Sequence, residues 1–129
     1  MNIYQIPVQR GLNVTLFEAE EALVPIRPIC DLLGIAWQVQ HRKLAEQPDR
    51  WGVTIMVMPS AGGEQETTCL PARQVVAWLW TISASKVAPA AIEKLLILRQ
   101  RLDETLEAHA RERVADLKRR VAVLTGEVI

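Results

Sequence analysis

The sequence predicts an α+β fold, in which a small antiparallel sheet is packed by short helices and followed by a long C-terminal helix. Stretches rich in β-branched residues, with alternating apolar and polar positions, indicate strands in the first and middle parts of the chain. The last third has helical apolar spacing and contains neither proline nor glycine between Pro89 and Gly126. A chain of 129 residues, 50% of them hydrophobic, is long enough to bury the core of one domain.

The first part of the chain predicts three strands. Residues 3–8 and 12–17 form a hairpin with Gly11 in its turn, and the second of these strands alternates apolar and polar residues. Residues 22–26 follow as a short third strand. Pro25 places this strand at an edge of the sheet, because proline lacks the backbone N–H that a central strand donates to its neighbours.

The middle of the chain predicts two helices and then a second hairpin. Residues 28–33 begin with proline, carry apolar side chains at i, i+3 and i+4, and stop at a glycine, as a short helix does. A second helix covers residues 38–46 and ends before a proline. Strands at 51–58 and 64–70 flank a loop at 59–63 that contains proline and glycine.

The remainder of the chain predicts two further helices. The first runs from Pro71 to Ile82, and residues 83–88 interrupt it. The second begins at Pro89 and, as one continuous helix, is about 55 Å long. That length exceeds what so small a domain can bury, so part of the helix is expected to pack against something else.

The apolar spacing of the last helix indicates self-association. Apolar residues alternate at intervals of three and four, the pattern of a coiled-coil seam, at Val114, Leu117, Val121, Leu124 and Val128. A broader upstream stripe suits packing on the domain and consists of Leu95, Leu98, Leu102, Leu106 and Ala110. The candidate oligomerisation residues are Leu102, Leu106, Val114, Leu117, Val121 and Leu124. The alternative is a helix folded back on its own core.

Charge and cysteine content exclude several classes of protein. The chain has 15 basic and 15 acidic residues, and a balanced chain is not a general binder of polyanions. Cys30 and Cys69 have apolar neighbours, as expected of buried thiols in a reducing compartment. Neither a signal peptide nor a membrane-spanning segment is evident, and the sequence therefore predicts a cytoplasmic protein.

No catalytic or cofactor motif is recognisable in the sequence. A glycine-rich loop that follows a strand and opens a helix is absent, which argues against a nucleotide-binding fold. His41 and His109 stand far apart, without further ligands at metal-binding spacing. The expectation is therefore a non-enzyme with no cofactor, no metal and no small-molecule substrate.

The second predicted helix carries the candidate recognition residues. It follows a helix and a glycine-containing turn, which is the outline of a helix-turn-helix motif. Trp37 precedes it, and its polar side chains could contact base edges and phosphates: Gln38, Gln40, His41, Arg42 and Lys43. Gln40 and Lys43 occupy positions where a recognition helix usually carries apolar residues. The alternative is the ordinary basic face of a surface helix.

Two tryptophans of the third helix cannot share one face, since Trp78 and Trp80 are two residues apart. If Trp80 packs on the sheet with Val76 and Leu79, Trp78 points elsewhere, to a subunit or partner interface. The alternative for each tryptophan is a plain role in the core.

Several spaced motifs resemble the N-terminal domain of phage antirepressor proteins, a relative of the viral BRO-N domain. The resemblance covers roughly residues 1–108 and rests on segments 24–37, 40–44, 60–66, 69–71, 78–79, 81–83, 86–87 and Pro89. Antirepressors of this family release a prophage from lysogeny by binding the phage repressor and removing it from its operator, whereas BRO-N domains are described as DNA-binding. Longer members of the family carry a C-terminal domain after this region, and this chain is expected to act without one.

The resemblance also suggests which exposed residues contact a partner, namely Arg27, Trp37, Gln40, Arg42, Lys43 and Trp78. Residues 1–108 are therefore interpreted as an antirepressor-like domain, and residues 109–129 as a helical tail for homo-oligomerisation. The predicted function is non-enzymatic inactivation of a phage repressor protein, which promotes lytic genes. The alternatives are a sequence-specific DNA-binding regulator that uses helix residues 38–43, and a purely structural assembly module.

Overall fold

The computed structural model describes residues 2–126, apart from the side chain of Ser60. It contains a five-stranded antiparallel sheet with the strand order β1-β2-β3-β5-β4. The strands are β1 (Asn2–Gln9), β2 (Leu12–Glu18), β3 (Ala22–Pro25), β4 (Thr54–Ser60) and β5 (Gly63–Pro71). The helices are α1 (Arg27–Leu33), α2 (Trp37–Glu46), α3 (Pro48–Trp51), α4 (Ala72–Trp80) and α5 (Ile92–Thr125). The predicted α+β fold class is confirmed.

The alternating pattern of the first hairpin directs one side of each strand toward the helices. Tyr4 pairs with Leu16 and Ile6 with Val14, and these side chains contact or belong to the main core. On the opposite face of the sheet, a smaller cluster surrounds Phe17. Burial of one residue in two is the reason that the strand prediction succeeded here.

The prediction that β3 is an edge strand is wrong, because β3 lies between β2 and β5. Pairing with β2 ends at Leu23, so Pro25 lies beyond the end of that ladder. On the β5 side, the N–H of Ile26 donates to the carbonyl of Thr68. In an antiparallel pair neighbouring residues point their N–H groups to opposite sides of the strand. Because Ile26 donates toward β5, the nitrogen of Pro25 faces the β2 side, where the ladder has already ended, and no backbone hydrogen bond is lost.

The second hairpin starts later and turns more tightly than predicted. Ser60 pairs with Gly63, so the predicted loop at 59–63 shortens to a two-residue turn. Trp51 does not start a strand but ends the one-turn helix α3, which Pro48 begins. The arginine before it, Arg50, places its guanidinium 4.8 Å from the centre of the Trp51 ring.

The main core lies between the sheet and the helices α1, α4 and α5. Trp78 is 1% exposed within it, whereas Trp80 is 63% exposed. The expectation that Trp78 points outward while Trp80 packs on the sheet is therefore wrong. Val75, Trp78 and Leu79 share the buried face of α4, and Trp80 projects from the other side.

Helix α5 is continuous over 34 residues and has two different halves. In the first half Leu95, Leu98 and Leu102 are fully buried and Leu106 is 6% exposed. Leu102 and Leu106 therefore pack in their own domain, which corrects their assignment as oligomerisation residues. The prediction that the broader stripe packs on the domain is confirmed for Leu95, Leu98, Leu102 and Leu106, whereas Ala110 is exposed.

The second half of α5 leaves the domain. Arg113 forms a two-pronged ion pair with Glu18 of β2, with Nε–Oε2 at 2.6 Å and Nη2–Oε1 at 2.8 Å. Beyond it, the predicted seam residues are exposed, so this part of the helix does not fold back on the core: Val114, Leu117, Val121 and Leu124. The fifth seam residue, Val128, lies outside the described residues. None of the described helices has the length and apolar character to cross a membrane.

Candidate partner-binding cleft

A cleft of about 350 Å³ opens between α1, α2 and β5, and we call it the α1–α2 cleft. Its lining combines charged, aromatic and hydroxyl side chains and consists of Arg27, Pro28, Asp31, Trp37, His41, Gln65, Glu66, Thr67 and Thr68. Three of the residues predicted from the sequence as partner contacts, Arg27, Trp37 and His41, are therefore brought together.

The turn between α1 and α2 sets the position of the cleft walls. Gly34 ends α1 with a φ of 65°, a left-handed conformation that side chains rarely adopt. A Cβ atom at this position would lie 2.8 Å from the Cβ of Ala88. The N–H of Ala88 in turn donates to the carbonyl of Leu33 at 3.2 Å. The end of α1 is thus fixed against the loop that leads to α5.

Gln40 and Trp78 are not exposed contact residues, which corrects the expectation from the sequence. The Nε1–H of Trp78 donates to Oε1 of Gln40 at 3.1 Å, and Gln40 itself is 8% exposed. A buried indole N–H needs an acceptor. This explains why α2 carries a glutamine at a position where its inner face would otherwise be apolar, and it couples α2 to α4.

One turn of α2 presents an aromatic pair to the cleft. The rings of Trp37 and His41 lie 5.2 Å apart at an interplanar angle of 47°. Trp37 is half-buried and His41 is exposed, so both rings keep a face toward solvent. Arg27, at the start of α1, lines the same cleft and is exposed.

The other polar residues predicted on α2 lie elsewhere on its surface. Gln38, Arg42 and Lys43 are exposed but do not line the cleft. They form the solvent-facing side of the helix, which agrees with the alternative of an ordinary basic surface as well as with a nucleic-acid contact.

Opposite charges line the α1–α2 cleft without pairing to each other. It holds the guanidinium of Arg27 together with the carboxylates of Asp31 and Glu66, and no ion pair within residues 2–126 involves any of the three. Such a surface can exchange charged hydrogen bonds with another protein, and the aromatic pair can bury apolar area. A phosphate backbone would meet two carboxylates here.

The described residues offer little to nucleophilic or metal chemistry. No group of three metal-ligating side chains occurs among them. Burial raises the pKa of Cys30 and of Cys69 to about 12, so both thiols are protonated at neutral pH. Both cysteines are fully buried, as predicted from the sequence.

Comparison with known proteins identifies the family. The family model described as the P22_AR N-terminal domain matches residues 5–116. The chain belongs to this family of phage antirepressor N-terminal domains. The resemblance noted in the sequence is thereby confirmed, and membership indicates an antirepressor-like regulatory role. No curated protein and no solved structure matches the chain.

The match to the P22_AR N-terminal domain includes the sheet from Gln5 of β1 onward, the α1–α2 cleft and α5 as far as Asp116. Sequence reasoning missed the β5 wall of the cleft, formed by residues 65–68. The resemblance had included segment 64–66 but gave no role to it. Only the pairing of β5 into the sheet places these side chains opposite α2.

Proposed function

We propose that this P22_AR N-terminal domain binds a phage repressor protein through the α1–α2 cleft and thereby inactivates it. The observation that carries the proposal is the cleft itself, in which Trp37, His41 and Arg27 meet the acidic side chains of α1 and β5. Partly exposed aromatic and arginine side chains in a concave surface are the residues that most often dominate protein–protein binding.

Inactivation follows from linkage between two binding equilibria. If the domain binds the free repressor more tightly than the operator-bound repressor, each binding event lowers the affinity of the repressor for DNA by the same factor. The result is release of the operator and expression of the lytic genes. The protein acts in the cytoplasm of the bacterial host, and no catalytic step is needed.

Direct DNA binding is the second candidate, and the exposed Gln38, Arg42 and Lys43 favour it. Two features weigh against it. Gln40, which would read bases in a helix-turn-helix, is already bonded to Trp78. The carboxylate of Glu66 also lines the same cleft as His41, so a phosphate that contacts His41 would meet a negative charge.

A gel-shift assay with the operator and the repressor encoded nearby in the same prophage separates these functions. The antirepressor should release the operator band without shifting DNA by itself. Trp37→Ala should weaken release about 30-fold, the effect of truncating a central interface residue. Trp80→Ala is the matched control, because it removes an exposed tryptophan outside the cleft. Thermal melting of both variants verifies that they are folded.

The same assay reveals the alternatives. A direct shift of operator DNA that falls steeply with salt, and that is lost in the Arg42→Ala, Lys43→Ala double variant, would replace repressor binding by DNA binding. A chain that neither shifts DNA nor releases the repressor would be an assembly module. An equal loss of operator release for Trp37→Ala and Trp80→Ala would show that the α1–α2 cleft is not the repressor-binding surface.

A further inference from the structure

A second concave surface lies where α5 leaves the domain, and we call it the α5 groove. It has a volume of about 380 Å³ and lies between α5, the start of α4 and the β2–β3 turn. Its floor is apolar and belongs to the domain core, with Leu16, Ala22, Ala72 and the buried Leu106, and Val114 and Leu117 of the same chain continue its apolar wall. Asp103 and Glu107 stand at its edge on α5. The α5 groove shares no residue with the α1–α2 cleft.

The end of α5, residues 114–125, has little support from its own domain: Val114 and Leu117 line the α5 groove but stay half-exposed, and Val121 and Leu124 lie beyond the groove. These 12 residues extend about 18 Å. Val114 is 51% exposed, Val121 56% and Leu124 86%. An isolated helix of this length is only marginally stable in water, and a row of exposed apolar side chains on one face indicates a missing partner.

The charges beside the groove and on the helix end are complementary. Asp103 and Glu107 are one turn apart on α5, and burial together with the negative charge of Glu107 raises the pKa of Asp103. Neither forms an ion pair among the described residues. Lys118, which flanks Val114 and Val121, is also without an ion pair there. Arg119 and Arg120, in contrast, are both paired with Asp116.

We infer that residues 114–125 of a second copy fill the α5 groove in the antiparallel direction, with the two copies exchanging these segments in a two-fold dimer. Lys118 of each copy then lies beside the carboxylates of the other, with Glu107 nearest. An exchange of this kind closes on itself, since each copy supplies one groove and one helix end.

Charge also determines the direction of the pairing. In a parallel pair Lys118 would face the lysine of its partner, and Asp103 and Glu107 would face their own counterparts. In the antiparallel pair Glu107 lies beside Lys118, with the two-fold axis near residue 112, the midpoint of those positions. Ala110 then faces Ala115 across the axis, and these small side chains allow the helices to approach closely.

Analytical ultracentrifugation of the full chain over a range of concentrations tests the dimer. The chain should associate as a dimer, and Lys118→Glu and Glu107→Lys should each weaken dimerisation roughly tenfold, since each places like charges together. The two changes combined should restore most of the affinity, because the reversed pair is again complementary. Lys94→Glu, on the exposed surface of α5 outside the groove, is the matched control.

Disulfide cross-linking tests the direction. Chains with Glu107→Cys mixed with chains with Lys118→Cys should cross-link to each other, and Lys118→Cys chains alone should not. Eleven residues separate these positions, so the two copies of residue 118 are about 16 Å apart along an antiparallel pair, too far for a disulfide. The native cysteines are buried and do not compete.

Several outcomes would overturn the inference. Cross-linking of Lys118→Cys chains to one another would show a parallel coiled coil. A monomer at all concentrations would mean that another protein covers the helix end. Failure of the double charge reversal to recover the dimer would show that Glu107 at the groove does not contact Lys118 of the partner's helix end. These readouts do not involve the repressor, so they are independent of the proposed function.

Discussion

The two halves of α5 carry the same apolar spacing but have opposite environments. In the first half, Leu95, Leu98 and Leu102 repeat every three or four residues and are 0% exposed. In the second half, Val114, Leu117, Val121 and Leu124 repeat in the same way and remain between 44% and 86% exposed. The ion pair of Arg113 with Glu18 marks the boundary between them.

This comparison shows what periodicity can and cannot reveal. The spacing identifies the face of a helix that is buried, because residues three and four apart lie on the same side. It does not identify the partner, since the same stripe packs equally well on a sheet or on a second helix. What distinguishes the halves is what packs against them: the leucines of the first half are buried in the main core, whereas the apolar residues of the second half stay exposed.

The largest expected difference between the halves concerns the leucines. Leu102→Ala should lower the free energy of unfolding by about 2–5 kcal/mol, because it opens a cavity in the core. Leu124→Ala should change it by less than about 0.5 kcal/mol. Urea unfolding at low protein concentration, where association does not contribute, measures both. Equal losses would contradict the division of α5 into a buried and an exposed half.

A smaller difference is expected for the arginines of the first half. The guanidinium of Arg99 donates to the carbonyl of Leu79 from Nε at 3.3 Å and from Nη2 at 3.2 Å, and also bonds the carbonyl of Ile82. Arg99→Ala should therefore cost about 1–3 kcal/mol, since it removes the charged donor that holds the carbonyls of Leu79 and Ile82 at the end of α4. Arg101→Ala, an exposed neighbour, should have almost no effect in the same unfolding experiment. A comparable loss for both would mean that Arg99 does not hold α4.

The smallest effect is expected at the boundary between the halves, and it depends on pH. The hydrogen bonds from Arg113 lower the pKa of Glu18 from 4.5 to about 2. A lowered folded-state pKa stabilises the fold above pH 4.5, and this contribution is lost as the pH falls toward 2. Glu18→Gln should therefore destabilise the protein at pH 6 but hardly at pH 2.

Thermal melting at both pH values measures this difference. Glu20→Gln is the control, because Glu20 is exposed and takes part in no ion pair among the described residues. A stability loss for Glu18→Gln that is the same at pH 2 and pH 6 would mean that the ion pair does not hold α5 to β2.

Most of the fold was predictable from the sequence where local pattern and tertiary packing agree. The β1–β2 hairpin followed from alternation, and the long helix from the absence of helix breakers. Pro25 misled because its position along the chain cannot show which side of the strand its nitrogen faces. Trp78 and Trp80 are both large and apolar, and only a partner such as Gln40 decides which of them is buried.

The candidate site was predictable only in part, for a related reason. Trp37 and His41 lie four residues apart, and their spacing on one helix face is readable from the sequence. The other wall of the α1–α2 cleft comes from β5, more than twenty residues along the chain. The position of β5 beside α1 and α2 depends on the pairing of β3 with β5, which no local sequence pattern encodes.

The turn at Gly34 affects how a mutational scan of this domain should be interpreted. Any side chain there meets Ala88 at 2.8 Å and an unfavourable backbone angle at the same time. Such substitutions should therefore abolish activity by moving α1, even though Gly34 itself does not line the cleft. Loss of activity on substitution of Gly34 would reflect a distorted fold and not a lost contact with the partner. Gly34 should therefore be left out of any map of the binding epitope.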